Sequence, residues 1–153
     1  MNLNLFESKI YQIQGIQELT RVKMEDFEKI VIKDIFIEKV NLTRATYKEA
    51  GELKKILDED IEKRFRKVIV DLSQCEFIDS TFLGVLVLAL KKISLISGEI
   101  RLVKPKSVVR ALMEKSGTLN IFNAYDTLDE AVESFDFTHA GNYYTREGLT
   151  AQA

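Results

Sequence analysis

Three consecutive side chains, Asp79, Ser80 and Thr81, set a carboxylate beside two hydroxyls at the head of a long, nearly uncharged segment. Two kinds of chemistry suit that arrangement. Oxygens of Asp, Ser and Thr accept hydrogen bonds from the free N–H groups in the first turn of a helix. A serine or threonine hydroxyl held at the surface can instead accept a phosphoryl group, which adds about −1.5 to −2 charges near neutral pH. The residues alone leave both roles open for Ser80 and Thr81. Asp79 reads equally as a cap or loop carboxylate and as a group that positions the neighbouring hydroxyl. Catalysis by Asp79 is not expected, because no second acid, metal-ligand set or histidine accompanies it.

Little competing chemistry stands elsewhere in the chain. Cys75 is the one cysteine among 153 residues, so no internal disulfide or cysteine-based metal site can be built. It reads as a loop or core thiol, since a redox sensor would need a resolving partner. His139 is the one histidine and lies far along the chain, leaving metal and Ser–His chemistry without their components. Gly84 lacks the glycine-rich spacing of a phosphate cradle and reads as room for close helix packing. A formal charge of −2 provides no basic field for DNA or RNA. Lys54, Lys55, Arg64, Arg66 and Lys67 are interleaved with Glu52, Asp58, Glu59, Asp60 and Glu62, as on a solvated face. The N-terminus lacks the basic start and apolar core of a signal peptide. The apolar run 82–90 is too short to span a bilayer and closes on Lys91 and Lys92. These features set the expectation of a cytoplasmic, soluble protein without cofactor or metal.

The elements that must position the triplet follow from periodicity. Composition is 46% hydrophobic and 30% charged, ordinary for one folded domain. We divide the chain into an N-terminal extension over 1–25, a domain over 26–135 and a loose polar tail over 136–153. The extension carries Ile10, Ile13, Ile16, Leu19 and Val22, compatible with a short amphipathic helix or with a strand. Residues 27–41, rich in β-branched side chains and broken by Lys33-Asp34, read as two strands and a tight turn. Over 43–65 the period changes: Tyr47, Ala50, Leu53, Leu57, Ile61 and Phe65 mark the apolar side of a helix. Thr43 or Thr46 caps it, and Thr46 with Glu49 matches a capping box. Gly51 within it costs about 1 kcal/mol against alanine, which suggests a close contact. A buried strand over 68–72 precedes a helix from about 80 to 96, apolar on nearly every side and so expected to be sandwiched. A strand over 99–103, a helix over 108–115 capped by Ser107 and ended by Gly117, a weak strand over 121–125 and a helix opened by Thr127 complete the order. That order suits an α/β layer domain with a central, mostly parallel sheet of four to five strands and about four helices.

At the triplet, the run VDLSQCEFIDSTFLGVLV resembles the signature of STAS domains, specifically the bacterial anti-sigma factor antagonists. That pattern is an apolar strand, a variable loop, Asp-Ser-Ser/Thr-Gly-Leu-Gly and an apolar helix. Asp71-Leu72-Ser73 closes the strand, Phe77-Ile78 leads into the triplet, and Leu83-Gly84 stand in register. Through the order of elements the resemblance extends from about 27 to 135. Phe82 departs from it, standing where the family usually has glycine and adding bulk beside the hydroxyls. The resemblance implies a non-catalytic switch worked by reversible phosphorylation. Unmodified, such a protein binds an anti-sigma factor that is itself a serine kinase and so frees the sigma factor. Phosphorylation ends the association, and a metal-dependent serine phosphatase restores it. Ser80 matches the acceptor, with Thr81 as the alternative. Partner contacts are expected at Phe77, Asp79, Ser80, Thr81, Phe82 and Leu83, with the loop 73–76 beside them; by residue type alone, Phe82 reads rather as core packing. A scaffold subunit of a signalling or transporter-associated complex is the second reading, and a small nucleotide-binding enzyme the third.

Overall fold

Residues 27–41, rich in β-branched side chains, form the expected hairpin at one edge of the fold. The computed structural model describes residues 25–135. Strands β1 (Phe27–Ile32) and β2 (Ile35–Val40) pair antiparallel from Phe27 opposite Val40 to Ile32 opposite Ile35. Lys33 turns the chain between them with φ 56°. Next come β3 (Arg44–Ala45), α1 (Tyr47–Glu62), β4 (Lys67–Asp71), β5 (Phe77–Ile78), α2 (Ser80–Ser94) and β6 (Glu99–Val103). Then follow α3 (Ser107–Lys115), α4 (Thr118–Ile121), β7 (Asn123–Tyr125) and a last helix, α5, over residues 128–135. The main sheet has the order β1-β2-β4-β6-β7, and every pairing after the first is parallel. β3 and β5 form a separate two-stranded parallel sheet. Among the described residues this is the α/β layer expected from the order of elements, with a main sheet of five strands and five helices, one helix more than expected.

Each strand divides its side chains between two faces because successive residues point opposite ways. Val68 and Val70 of β4 and Ile100 and Leu102 of β6 face one way. They pack with Leu53 and Leu57 of α1, with Phe82, Leu86, Ala89 and Ile93 of α2, and with Val109 and Met113 of α3. Ile35, Ile37, Ile69 and Val103 face the other way, beneath Ala131 and Phe135 of α5. On that second side Arg101 is buried with its guanidinium 4.0 Å from the Phe135 ring and bonded to Ser134 and Glu99. α5 starts as its sequence predicts: Thr127 Oγ1 accepts the N–H of Glu130 at 3.1 Å.

Several expectations give way. α2 is not sandwiched: Phe82, Leu86, Ala89 and Ile93 form one buried stripe, and Leu88 on another side is 42% exposed. Leucine and valine flank that stripe half-buried, so an apolar sequence all round does not require a helix covered all round. Neither Gly51 nor Gly84 is needed for close packing among the described residues, since an added Cβ would meet none of their atoms within 4 Å. Gly98 is the crowded one; a Cβ there would lie 2.7 Å from Ile93 Cγ1 and 2.9 Å from the Arg66 carbonyl oxygen. Ser107 is the first residue of α3 rather than its cap, and Lys106 at the cap makes no side-chain bond to it. The weak strand is shorter than read, because Ile121 belongs to the one-turn α4. Tyr47, placed on the apolar side of α1, is 65% exposed at its first turn. The readings of 1–24, of His139 and of the polar tail lie outside the described residues. Among the described residues no helix is long and apolar enough to cross a membrane.

Two glycine substitutions test this packing in opposite directions. Gly98→Ala should lower unfolding stability by about 1–3 kcal/mol, since Ile93 and the Arg66 backbone must shift. Gly51→Ala, in an open helix position, should raise it by about 0.5–1 kcal/mol. Urea denaturation of the two variants measures both.

Candidate functional site

The two short strands decide where the triplet sits. Arg44 and Ala45 of β3 stand beside Phe77 and Ile78 of β5 in a parallel pair. β3 passes into α1 through Thr46, and β5 passes into α2 through Asp79. Parallel strands that each enter a helix at once bring the two helix N-termini side by side. Thr43 O anchors the approach by accepting the N–H groups of Glu76 and Phe77 at 2.7 and 3.0 Å, and Ala45 O accepts that of Asp79 at 3.1 Å.

Asp79 closes both helices. Its Oδ1 accepts the Phe82 N–H of α2 at 2.9 Å, and its Oδ2 accepts the Tyr47 N–H of α1 at 2.8 Å. Each helix start carries roughly half a positive charge, so one carboxylate lies where two partial charges meet. α1 completes its own first turn through the predicted box: Thr46 Oγ1 accepts the Lys48 N–H, and Glu49 Oε1 accepts the Thr46 N–H at 3.0 Å. Thr46, rather than Thr43, is therefore the cap.

With the carboxylate capping, the neighbouring hydroxyls are left over. Ser80 and Thr81 are the first two residues of α2 and both are exposed. Neither hydroxyl has a hydrogen-bond partner recorded among the described residues, so the choice left open by the sequence goes against capping by Ser80 or Thr81. Phe77 is 39% exposed, with the Arg44 guanidinium 4.2 Å from its ring centre, a cation–π contact at the rim. Leu83 is half-buried against the core.

Phe82 lies elsewhere than its place among the contact residues implied. Its side chain is fully buried and its ring lies parallel to that of Phe27, 6.5 Å between centres. The bulk in place of the family glycine therefore points into the core, and the surface beside the hydroxyls is not enlarged by it. In the loop 73–76, Gln74 and Glu76 are exposed while Cys75 is buried. Burial, and then the charge of Asp71, push the Cys75 thiol up to about 12, so it stays protonated at neutral pH and unreactive. Cys75 O accepts the Lys106 N–H at 3.0 Å, tying the start of α3 to this loop.

Sequence reasoning missed two rim residues, Arg44 and Tyr47. A two-residue strand shows no alternation, so nothing in the sequence marks Arg44 as the neighbour of Phe77. Tyr47 matched a helical period but falls in the first turn, beyond the cover of the core. No group of three acidic, histidine or cysteine side chains among the described residues is placed to hold a metal ion.

The chain is similar to known proteins. The sequence pattern of the STAS domain matches residues 45–131, more than half of the chain. A candidate anti-sigma factor antagonist of Thermotoga maritima is 39% identical over 78 residues, which cover 51% of this chain and 69% of that one. The crystal structure of a candidate anti-sigma factor antagonist from Thermotoga maritima superposes with a TM-score of 0.66 at 34% identity, covering 71% of this chain and 92% of that one. SpoIIAA, the Bacillus cell fate determinant, in its phosphorylated form gives a TM-score of 0.57 at 15% identity, covering 71% and 98% of the two chains. At that identity the likeness concerns the fold alone.

The shared cap predicts unequal consequences for adjacent residues. Asp79→Ala leaves two first-turn donors without their acceptor and should cost about 1–3 kcal/mol of unfolding stability. Ser80→Ala removes an exposed, unbonded hydroxyl and should stay within about 0.5 kcal/mol of the parent. Paired urea melts distinguish the two.

Proposed function

The chain belongs to the STAS domain family, among the anti-sigma factor antagonists, and on that premise we propose a phosphorylation-switched module that binds protein and catalyses nothing. Unmodified, it engages an anti-sigma factor that is also a serine kinase, and so releases a sigma factor in the cytoplasm. Phosphate on Ser80 ends the engagement, and a metal-dependent serine phosphatase restores it. One observation carries this reading: Asp79 satisfies the helix starts, so the Ser80 hydroxyl stands exposed with no structural bond to break. Thr81 shares that exposure and is the alternative acceptor.

The contact surface is the rim around the triplet: Phe77, Asp79, Ser80, Thr81 and Leu83, extended by Arg44 and Tyr47. Phe77 and Tyr47 offer aromatic surface of the kind that anchors interfaces, and Arg44 adds a cation beside them. A phosphate on Ser80 brings about −1.5 to −2 charges into that rim. Its position at the first residue of α2 favours an anion by about 0.3–1 kcal/mol, while Asp79 next door repels it. The two effects oppose each other within the domain, so the modification acts on docking and leaves the fold standing.

The experiment pairs the protein with a candidate anti-sigma serine kinase from the same genome, in the presence of ATP and Mg²⁺. Phosphate should appear on the parent and on Thr81→Ala, and not on Ser80→Ala. The phosphorylated form should bind the kinase at least about tenfold more weakly, a change of about 1.4 kcal/mol. Its thermal midpoint should lie within a few degrees of the unmodified one. Labelling that persists in Ser80→Ala and disappears in Thr81→Ala moves the acceptor by one residue. A phosphorylated form that unfolds, or that binds unchanged, rejects the switch.

A further inference from the structure

Away from the triplet, the end of α1 buries more negative charge than its surroundings neutralise. Glu38 of β2 and Asp60 of α1 are 1% and 2% exposed. Lys29 faces Glu38 across the hairpin and is the cation that reaches them, bonding Glu38 and, at 2.5 Å, Asp60 Oδ1. Asp60 Oδ2 is buried with no hydrogen-bond partner among the described residues. Across β4 the residue opposite Glu38 is Val70, which offers no charge. Phe36, on the same face of β2, stacks on Phe65 at 3.6 Å between ring centres and lies 5.1 Å from the Lys29 ammonium. β1 thus supplies one cation, α1 one carboxylate and β4 none. Among the described residues, two buried carboxylates beside a single lysine leave one charge uncompensated, which is costly in a site of low polarity.

We propose that Glu38 stays protonated and shares its proton with Asp60 through a hydrogen bond, forming a proton-dependent clasp that fastens the C-terminal half of α1 to the sheet. A protonated Glu38 supplies a donor for the orphaned Asp60 Oδ2 and cuts the buried charge to one carboxylate and one ammonium. Burial, and next the Asp60 carboxylate, push the Glu38 carboxyl up to about 8, against the pull of Lys29. For Lys29, burial acts to lower the ammonium, and the bonds to Asp60 and Glu38 together outweigh it and hold it above its ordinary value.

The direction of the pH effect follows. The folded state keeps a proton that the unfolded chain releases above its ordinary value of 4.5. Unfolding then releases a proton, so stability falls as pH rises from about 4.5 to about 8 and levels off beyond. Asp58 pulls the other way at the acid end: burial raises it, but Lys54 and Lys92 outweigh that and hold it below the ordinary range. The clasp is therefore read from a difference. Glu38→Gln keeps an amide donor for Asp60 and cannot titrate. Between pH 5 and 8.5 the parent's thermal midpoint should fall by several degrees relative to that of Glu38→Gln. Parallel profiles overturn the proposal. The parent protein also decides it alone, should the variant fail to fold. The ¹³C shift of the Glu38 side-chain carboxyl should titrate near 8, and a midpoint in the ordinary carboxylate range overturns the shared proton.

Discussion

The Asp79 carboxylate accepts N–H groups from two helices at once, which requires those helices to begin side by side and point the same way. That geometry comes from β3 and β5, two residues each, running parallel and entering α1 and α2 without a connecting loop. Without their pairing, Tyr47 N–H and Phe82 N–H would need separate acceptors. The hydroxyls next to Asp79 would then be the nearest candidates. Because one carboxylate serves both helices, Ser80 and Thr81 have no structural duty and remain at the surface. The proposed acceptor could take on a phosphate only where the fold does not depend on its hydroxyl, and the cap provides that condition.

α2 divides its work along its length and around its circumference. One stripe, Phe82 to Ile93, is committed to the sheet, and Phe82 starts that stripe in the same turn as the exposed hydroxyls. An aromatic at this position anchors the helix start to Phe27 of the hairpin, so the presenting end of the helix is packed from below while its outer side stays open. Leu83 and Leu88 lie off the stripe with part of their surface in water. Rigidity beneath and access above are what the proposed docking rim would require.

Charge inside this domain is handled in two ways. On the α5 side, Arg101 is buried yet bonded to Glu99 and Ser134 and stacked on Phe135, so its charge has partners in several directions. On the α1 side, Glu38 and Asp60 share Lys29, and one oxygen is left without a partner among the described residues. The first arrangement is self-sufficient. The second reaches the same condition only with a proton, which makes the protonation state of a carboxyl part of how α1 sits on the sheet.

Local signals fixed much of this protein. The hairpin, the capping box at Thr46, the strands around 67–71 and 99–103, the helix start at 80 and the capping threonine at 127 follow from propensity and period, which act between residues close in sequence. The triplet, too, was legible as a helix start bearing hydroxyls. What only the tertiary structure decided depends on residues far apart in the chain. Which oxygen caps depends on Tyr47 reaching Asp79 across 32 positions. Whether Phe82 faces partner or core depends on Phe27, and whether a glycine is crowded depends on which backbone passes it, as Arg66 passes Gly98 and nothing passes Gly51 or Gly84. Periodicity shows that a side chain lies on a given side of its own helix. What occupies the space beyond that side is set by distant segments, whose placement no local pattern encodes.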